Sequence, residues 1–263
     1  MKAVFINLET AEARRAQIEA GFARAPNEGW KLTRFSAVRA GEVEHAPGSI
    51  EPAEKACFES HRRLIAENLG NDDPLFVLED DAAFSRFTFP FLERAAKAPG
   101  DWDVLFTDVA FLQLGYMVKA ARDWDRLVNS GQVEVVPLQG SAFVGSTAYL
   151  VRGTAKAKLH KLLQDATAFD APYDIFLRDL VAAGTLKAAV CLPFLTSLAV
   201  EGSQSQIRES IDPQRLAFDE FRRLVFVERD LEKSRPAVEA IRAQVSEADQ
   251  MAGLLLAAAC LAR

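Results

Sequence analysis

What most constrains this chain is a repeated change of texture. Short runs of β-branched and aromatic residues alternate with longer helix-forming stretches from the N-terminus to about residue 210. The runs fall at residues 3–6, 32–38, 75–78, 104–106, 133–136, 147–151 and 188–192. Such alternation is how an α/β domain reads. Residues 4–6 and 75–78 are apolar at consecutive positions, which predicts central strands covered on both faces. Residues 11–25 read as a helix with Thr10 as its N-cap, and residues 52–69 as a second with Pro52 in its first turn. Gly70-Asn71-Asp72-Asp73-Pro74 then breaks the pattern and turns the chain into the strand at Leu75. Residues 41–54, polar and without period, read as a mobile loop.

Beyond residue 210 the texture becomes helical. Asp212-Pro213 reads as one helix start, followed by Leu216, Phe221, Leu224, Val225 and Leu231 at helical intervals. Ser234-Arg235-Pro236 reads as a second, leading into Val238, Ile241, Val245, Ala248, Ala252, Leu255 and Ala259, a seam with heptad steps. The expected organisation is a domain over residues 1–210 and a C-terminal helical extension over 211–263. That extension either packs on its own domain or offers a helix to a second copy, as a homodimer.

Charge and cysteine content narrow the class. With 31 basic and 37 acidic residues the net charge is −6, the wrong sign for tracking a phosphate backbone, so nucleic acid is not an expected partner. Cys57, Cys191 and Cys260 are widely spaced with no CxxC, which points to a reducing compartment and away from a structural zinc site. Asn7 and Glu9 interrupt the apolar start too early for a signal peptide. The longest apolar run, residues 251–262, is shorter than the ~20 residues a membrane span needs. The expected location is therefore the cytoplasm.

The strongest local feature is Leu75-Phe76-Val77-Leu78-Glu79-Asp80-Asp81, an apolar strand ending in three carboxylates. In open α/β sheets ligands collect beyond the carboxyl ends of the strands. Adjacent carboxylates repel unless a cation or solvent neutralises them, and all-oxygen ligands suit Mg²⁺ or Mn²⁺. A merely solvated acidic turn is the plain alternative. Asn7-Leu8 ends the first apolar run, Arg14-Arg15 lies on the following helix, and Ser60-His61 follows Cys57. Arginine supplies bidentate donors for a diphosphate, although each of these features taken singly also fits a solvated face or a structural histidine.

Taken in order, the chain resembles glycosyltransferase family 25, which includes bacterial lipopolysaccharide-core and lipooligosaccharide galactosyltransferases and relatives of the collagen galactosyltransferases. The resemblance rests on Phe5-Ile6-Asn7-Leu8 with Arg14-Arg15, Ala56-Cys57-Phe58-Glu59-Ser60-His61, and Val77-Leu78-Glu79-Asp80-Asp81-Ala82. It continues through Trp102-Asp103-Val104-Leu105, Gly145-Ser146-Thr147-Ala148-Tyr149-Leu150-Val151 with Ala155 and Leu159, and Pro172-Tyr173-Asp174. It covers roughly residues 1–210.

The resemblance implies a GT-A-like α/β fold with a mostly parallel mixed sheet, binding a UDP-sugar with Mn²⁺ or Mg²⁺. Carried onto this chain, Glu79, Asp80 and Asp81 are the acidic motif, with Asp81 the direct metal contact and Glu79 on the ribose side or on a metal-bound water. Asn7, Leu8, Arg14 or Arg15, Ser60 and His61 would line the nucleotide site. An inverting transfer needs a general base. Asp174 matches by position, Asp108 and Asp170 are alternatives, and an N-cap role for Asp174 competes with the catalytic one. The implied acceptor is a saccharide or glycolipid of the cell surface, reached by peripheral association with the membrane.

The sequence departs from the family pattern at Thr107-Asp108-Val109, where a more apolar strand end is usual, and in the helical tail. Two other readings compete: a metal-dependent phosphohydrolase or nucleotidyltransferase, and a non-catalytic carbohydrate-binding or scaffold protein. Against the first stand the missing P-loop and the presence of Asn7 where an Asp-x-Asp would end the first strand.

Overall fold

A computed structural model describes residues 1–199 and 213–261. In chain order its elements are β1 (Lys2–Asn7), α1 (Glu12–Arg24), β2 (Lys31–Ser36), α2 (Ala40–Val43), α3 (Pro52–Glu67), β3 (Leu75–Glu79) and β4 (Ala82–Phe84). Next come α4 (Thr88–Lys97), β5 (Val104–Phe106), β6 (Ala110–Phe111), α5 (Leu114–Ser130), β7 (Glu134–Pro137), β8 (Phe143–Val144) and β9 (Ala148–Val151). The chain continues through α6 (Lys156–Asp165), α7 (Tyr173–Ala182), β10 (Ala188–Leu192), β11 (Thr196–Leu198), α8 (Pro213–Val225), α9 (Leu231–Arg242) and α10 (Glu247–Leu261).

Seven strands form one sheet in the order β2-β1-β3-β9-β5-β10-β7. Strands β2, β1, β3, β5 and β10 run one way, while β9 and β7 run the other. The fold is thus the expected α/β class with a mostly parallel mixed sheet. All four residues of β9, all five of β10 and the first four of β3 are buried, which is why their sequences are apolar without alternation. Successive side chains feed two cores. Val4, Ile6, Val77, Phe106 and Tyr149 pack on one face of the sheet, and Ala3, Phe5, Phe76, Leu105 and Leu150 on the other. Each fully buried Phe or Leu stabilises the fold by about 1.5–3 kcal/mol relative to exposure.

The order of strands decides where the site lies. Because β9 is antiparallel between β3 and β5, the loop that enters it arrives at the carboxyl ends of those two strands. Asn7 closing β1, Glu79 closing β3, Asp108 beyond β5 and Thr196 beyond β10 also lie past strand carboxyl ends. Two small antiparallel ribbons, β4 with β11 and β6 with β8, flank this edge.

Several local expectations are corrected. The N-cap of α1 is Ala11, not Thr10, and no side chain caps it. Residues 41–54 are not a loop throughout: α2 and the first turn of α3 occupy part of them, Phe169 N–H donates to Pro47 O at 2.8 Å, and Ile50 N–H donates to Phe169 O at 3.2 Å. Asp212 and the expected domain boundary at 210 lie outside the described residues.

In the tail, Phe221 and Val225 of α8 are buried in the main core, and Phe194 N–H donates to Val225 O at 3.0 Å. Helix α9 begins at Leu231, ahead of the expected 234–236 start. The Asp230 carboxylate accepts the Glu232 and Lys233 N–H groups and so provides the cap. Pro236 therefore falls inside the helix. The heptad seam is divided between α9, with Val238 and Ile241, and α10, with Ala248, Ala252 and Leu255, so it is not one continuous helix. Among the described residues, no helix is long and apolar enough to cross a membrane.

Candidate active site

The carboxyl ends of β1 and β3 open into a cavity of about 240 Å³ lined by residues that include Asn7, Leu8, Arg14, Cys57, Ser60, His61, Glu79, Asp80 and Asp81. A larger cleft of about 400 Å³, with Arg24, Arg86, Ser197 and Arg223 in its walls, shares no lining residue with it.

The three acids are handled differently. Asp80 has a partner on each oxygen: Arg14 Nε lies 2.8 Å from its Oδ1 and Asn7 Nδ2 donates to its Oδ2 at 2.8 Å. Burial nonetheless pushes the Asp80 carboxyl up, against the pull of Arg14 and Asn7. Asp81 Oδ2 meets Arg14 Nη2 at 2.8 Å, while its Oδ1 is buried with no partner. Burial and the Glu79 charge push the Asp81 carboxyl up to about 7, with Arg14 acting against them. Glu79 Oε1 accepts from the Ser146 hydroxyl at 2.8 Å and lies 3.7 Å from His61 Nε2. Burial would raise Glu79, but the His61 ring, the Ser146 hydroxyl and the Arg222 charge outweigh it and bring the carboxyl down to about 2. An unpartnered buried carboxylate oxygen beside two further acids fits a divalent cation held by oxygen ligands. Asp81 and Glu79 are the residues free to hold one.

Arg14 reaches two of the acids, but its neighbour in sequence does not. Arg15 pairs with Glu19 at 2.9 Å, is half exposed, and belongs to a surface hollow beside Trp30 and Arg34, which corrects the expectation that either arginine serves the nucleotide site. Ser60 lines the cavity with its hydroxyl already engaged. It donates to Ala56 O at 2.7 Å and accepts from Val38 N–H at 2.9 Å. His61 is fully buried, with Nδ1 at 2.9 Å from the Tyr149 hydroxyl and its ring stacked on Tyr173.

The candidate bases also part company. Asp174 lies in the first turn of α7, one residue past the N1 position, so it is not the N-cap. Its Oδ2 accepts from Gly145 N–H at 2.8 Å and its Oδ1 from Ile175 N–H at 2.9 Å. Gly145 has φ 101°, a left-handed conformation, and a Cβ there would stand 3.5 Å from Arg222 Nη1. Asp108 is sealed: Thr196 donates to its Oδ1 at 2.8 Å and Arg222 Nε to its Oδ2 at 2.8 Å, with no exposure. The structure thus makes Asp108, an alternative to Asp174 as the base, the counter-ion of Arg222. Asp170 sits at an exposed loop and accepts from Ser49 N–H at 3.1 Å.

The sequence reading missed Arg222, which reaches this edge from α8. Its only sequence signal is a basic residue next to the apolar Phe221 on an amphipathic helix. Thr107 and Thr196 were also missed. Their hydroxyls lie 2.6 Å apart and carry the Asp108 network back to β5.

Carboxylates gathered at the strand ends of an α/β sheet, beside an open cavity, stand where ligands collect in folds of this class. Over residues 1–177 the chain matches the model of glycosyltransferase family 25 (LPS biosynthesis protein), and it belongs to that family. Its activity is sugar transfer, so the phosphoryl-transfer and scaffold alternatives are set aside. No curated protein matches it. Among solved structures it is similar to galactosyltransferase LgtC in complex with donor and acceptor sugar analogues, at 11% identity and TM-score 0.37 over 72% of this chain and 73% of that one. It is also similar to mouse xyloside xylosyltransferase 1 in its apo form, at 10% identity and TM-score 0.34 over 71% of this chain and 63% of that one.

Proposed function

We propose that this glycosyltransferase moves galactose from UDP-galactose to a saccharide of a cell-surface glycan, inverting the anomeric centre, with Mn²⁺ or Mg²⁺ on the donor diphosphate. The observation that carries this reading is the partnerless, buried Asp81 Oδ1 at the wall of the cavity lined by Asn7, Leu8 and Arg14. The family's description as LPS biosynthesis proteins supports the acceptor class. Galactose rests on the resemblance of the motifs alone.

Asp81 and Glu79 would hold the cation, while Asp80 stays with Arg14 and Asn7. When bound, the cation neutralises charge that grows on the departing diphosphate. Arg14 spans Asp80 and Asp81 and so sets their spacing. As the bond to the leaving oxygen lengthens, the anomeric carbon gains oxocarbenium character, and the attacking hydroxyl must give up its proton. Asp174 is assigned that proton. Two backbone N–H groups fix its carboxylate, and each oxygen keeps a second lone pair for the acceptor. The exposed Met251, Leu254 and Leu255 of α10 support association of the C-terminal helices with a second copy or with the inner face of the cytoplasmic membrane, where such acceptors are assembled.

The test is a thermal-shift screen of UDP-, GDP- and CMP-sugars with and without Mn²⁺, followed by transfer assays with the sugars that bind. A Mn²⁺-dependent shift with UDP-galactose supports the reading. A shift with a different nucleotide replaces the donor, and no shift with any nucleotide sugar removes the proposal.

A further inference from the structure

The cavity holds a second set of ligand atoms that sugar transfer does not call on. Cys57 Sγ, a His61 ring nitrogen and a Glu79 carboxylate oxygen all lie within 4.8 Å of one another. Cys57 and His61 stand four residues apart on α3, so both side chains leave the same face of the helix, and Glu79 meets them from the end of β3. His61 Nε2 is buried, has no hydrogen-bond partner, and faces Glu79 Oε1 at 3.7 Å. The other ring nitrogen is held by the Tyr149 hydroxyl, which lies 2.8 Å from the Tyr173 hydroxyl. The ring is also clamped flat against Tyr173, with centroids 4.0 Å apart and planes 5° from parallel. An imidazole oriented through one nitrogen by a polar partner and bare at the other is held as metal-ligating histidines are held.

We propose that Cys57, His61 and Glu79 form a binding site for a thiophilic divalent ion of the zinc type, with its fourth position open to the cavity. One sulfur, one nitrogen and one oxygen are the donor set that Zn²⁺ accepts in tetrahedral geometry, whereas Mg²⁺ and Mn²⁺ favour all-oxygen surroundings. The half-buried Cys57 thiol must lose its proton to ligate the ion, so binding is coupled to proton release. Burial, followed by Glu79, Asp174, Asp81 and Glu54, pushes that thiol up, and a dication between these groups relieves the same crowding of negative charge. Because Glu79 belongs to both sets, zinc in this triad and a cation on the donor draw on one carboxylate, and zinc opposes donor binding. The site was not legible from spacing, since it pairs an i, i+4 Cys and His with an acid from another element.

The site stands without the transferase reading, and its test does not depend on turnover. The reduced chain of 263 residues is titrated with Co²⁺ and followed by absorption, then back-titrated with Zn²⁺. The expected result is one Co²⁺ per chain, showing a thiolate-to-cobalt charge-transfer band that Zn²⁺ abolishes. Asp81→Ala and Cys191→Ala should keep the band. Cys57→Ala and Cys57→Ser should lose it while melting at the wild-type temperature in metal-free buffer. A wild-type cobalt spectrum without the band, or a band that survives both Cys57 variants, would overturn the site. Loss of UDP-galactose or Mn²⁺ binding in Asp81→Ala with the band intact bears on the donor reading alone.

Discussion

Asp81 and Asp108 both lie just past the carboxyl ends of parallel strands, yet the partly exposed Asp81 has one buried oxygen with no partner, whereas Asp108 is fully buried and accepts from three donor atoms. The difference follows from what each strand end faces. Beyond β3 the cavity is lined by acids, and Arg14 pairs with Asp80 and Asp81. Beyond β5 the space is filled by α8, whose Arg222 delivers a full positive charge into a pocket without solvent. A buried acid oxygen left without a partner carries a desolvation cost that a bound cation would relieve, whereas a fully paired acid fixes architecture.

The comparison can be broken or sharpened by substitution. Asp81→Ala should have the largest effect, removing divalent-dependent transfer altogether, while the metal-free melting temperature does not fall because one of three crowded acids is gone. Retained activity in a steady-state assay would erase the contrast. Asp174→Asn should lower kcat by about 10²–10⁴-fold, with the donor Kd from calorimetry kept near wild type. Arg222→Met should cost about 3–5 kcal/mol in urea unfolding, since Asp108 is left buried and unpaired, and the double variant with Asp108→Leu should recover most of that loss. A neutral single variant would show that the second acid is not held as described. Thr196→Val should cost about 1–2 kcal/mol in the same measurement. Arg15→Ala should change stability by less than about 0.5 kcal/mol and leave transfer untouched.

Much of the scaffold was legible because consecutive apolar residues leave few alternatives: residues 4–6 and 75–78 had to be inner strands, and they are. The acid cluster was legible too, since three carboxylates after such a strand stand out in any window. Strand direction was not. Nothing local in residues 148–151 says that they run against both neighbours, yet that reversal brings Gly145 and Ser146 to Asp174 and Glu79. The pairing of Asp108 with Arg222 spans 114 residues and has no periodic signature. Arg14 and Arg15 look alike in sequence, and only the rotation of α1 against β1 decides which one meets the acids. The short ribbons β4, β6, β8 and β11, two or three residues each, fall below the length at which a pattern can be recognised.

The place of β10 carries a practical lesson about length. The family match ends at residue 177, but β10, residues 188–192, lies inside the sheet between β5 and β7. A chain stopped at the end of the match would leave the backbone edge of β5 bare and strip β7 of the strand it pairs with, an invitation to intermolecular pairing. Anyone trimming this protein to its recognisable part should obtain inclusion bodies, because the cooperative unit reaches well past the segment that ancestry labels.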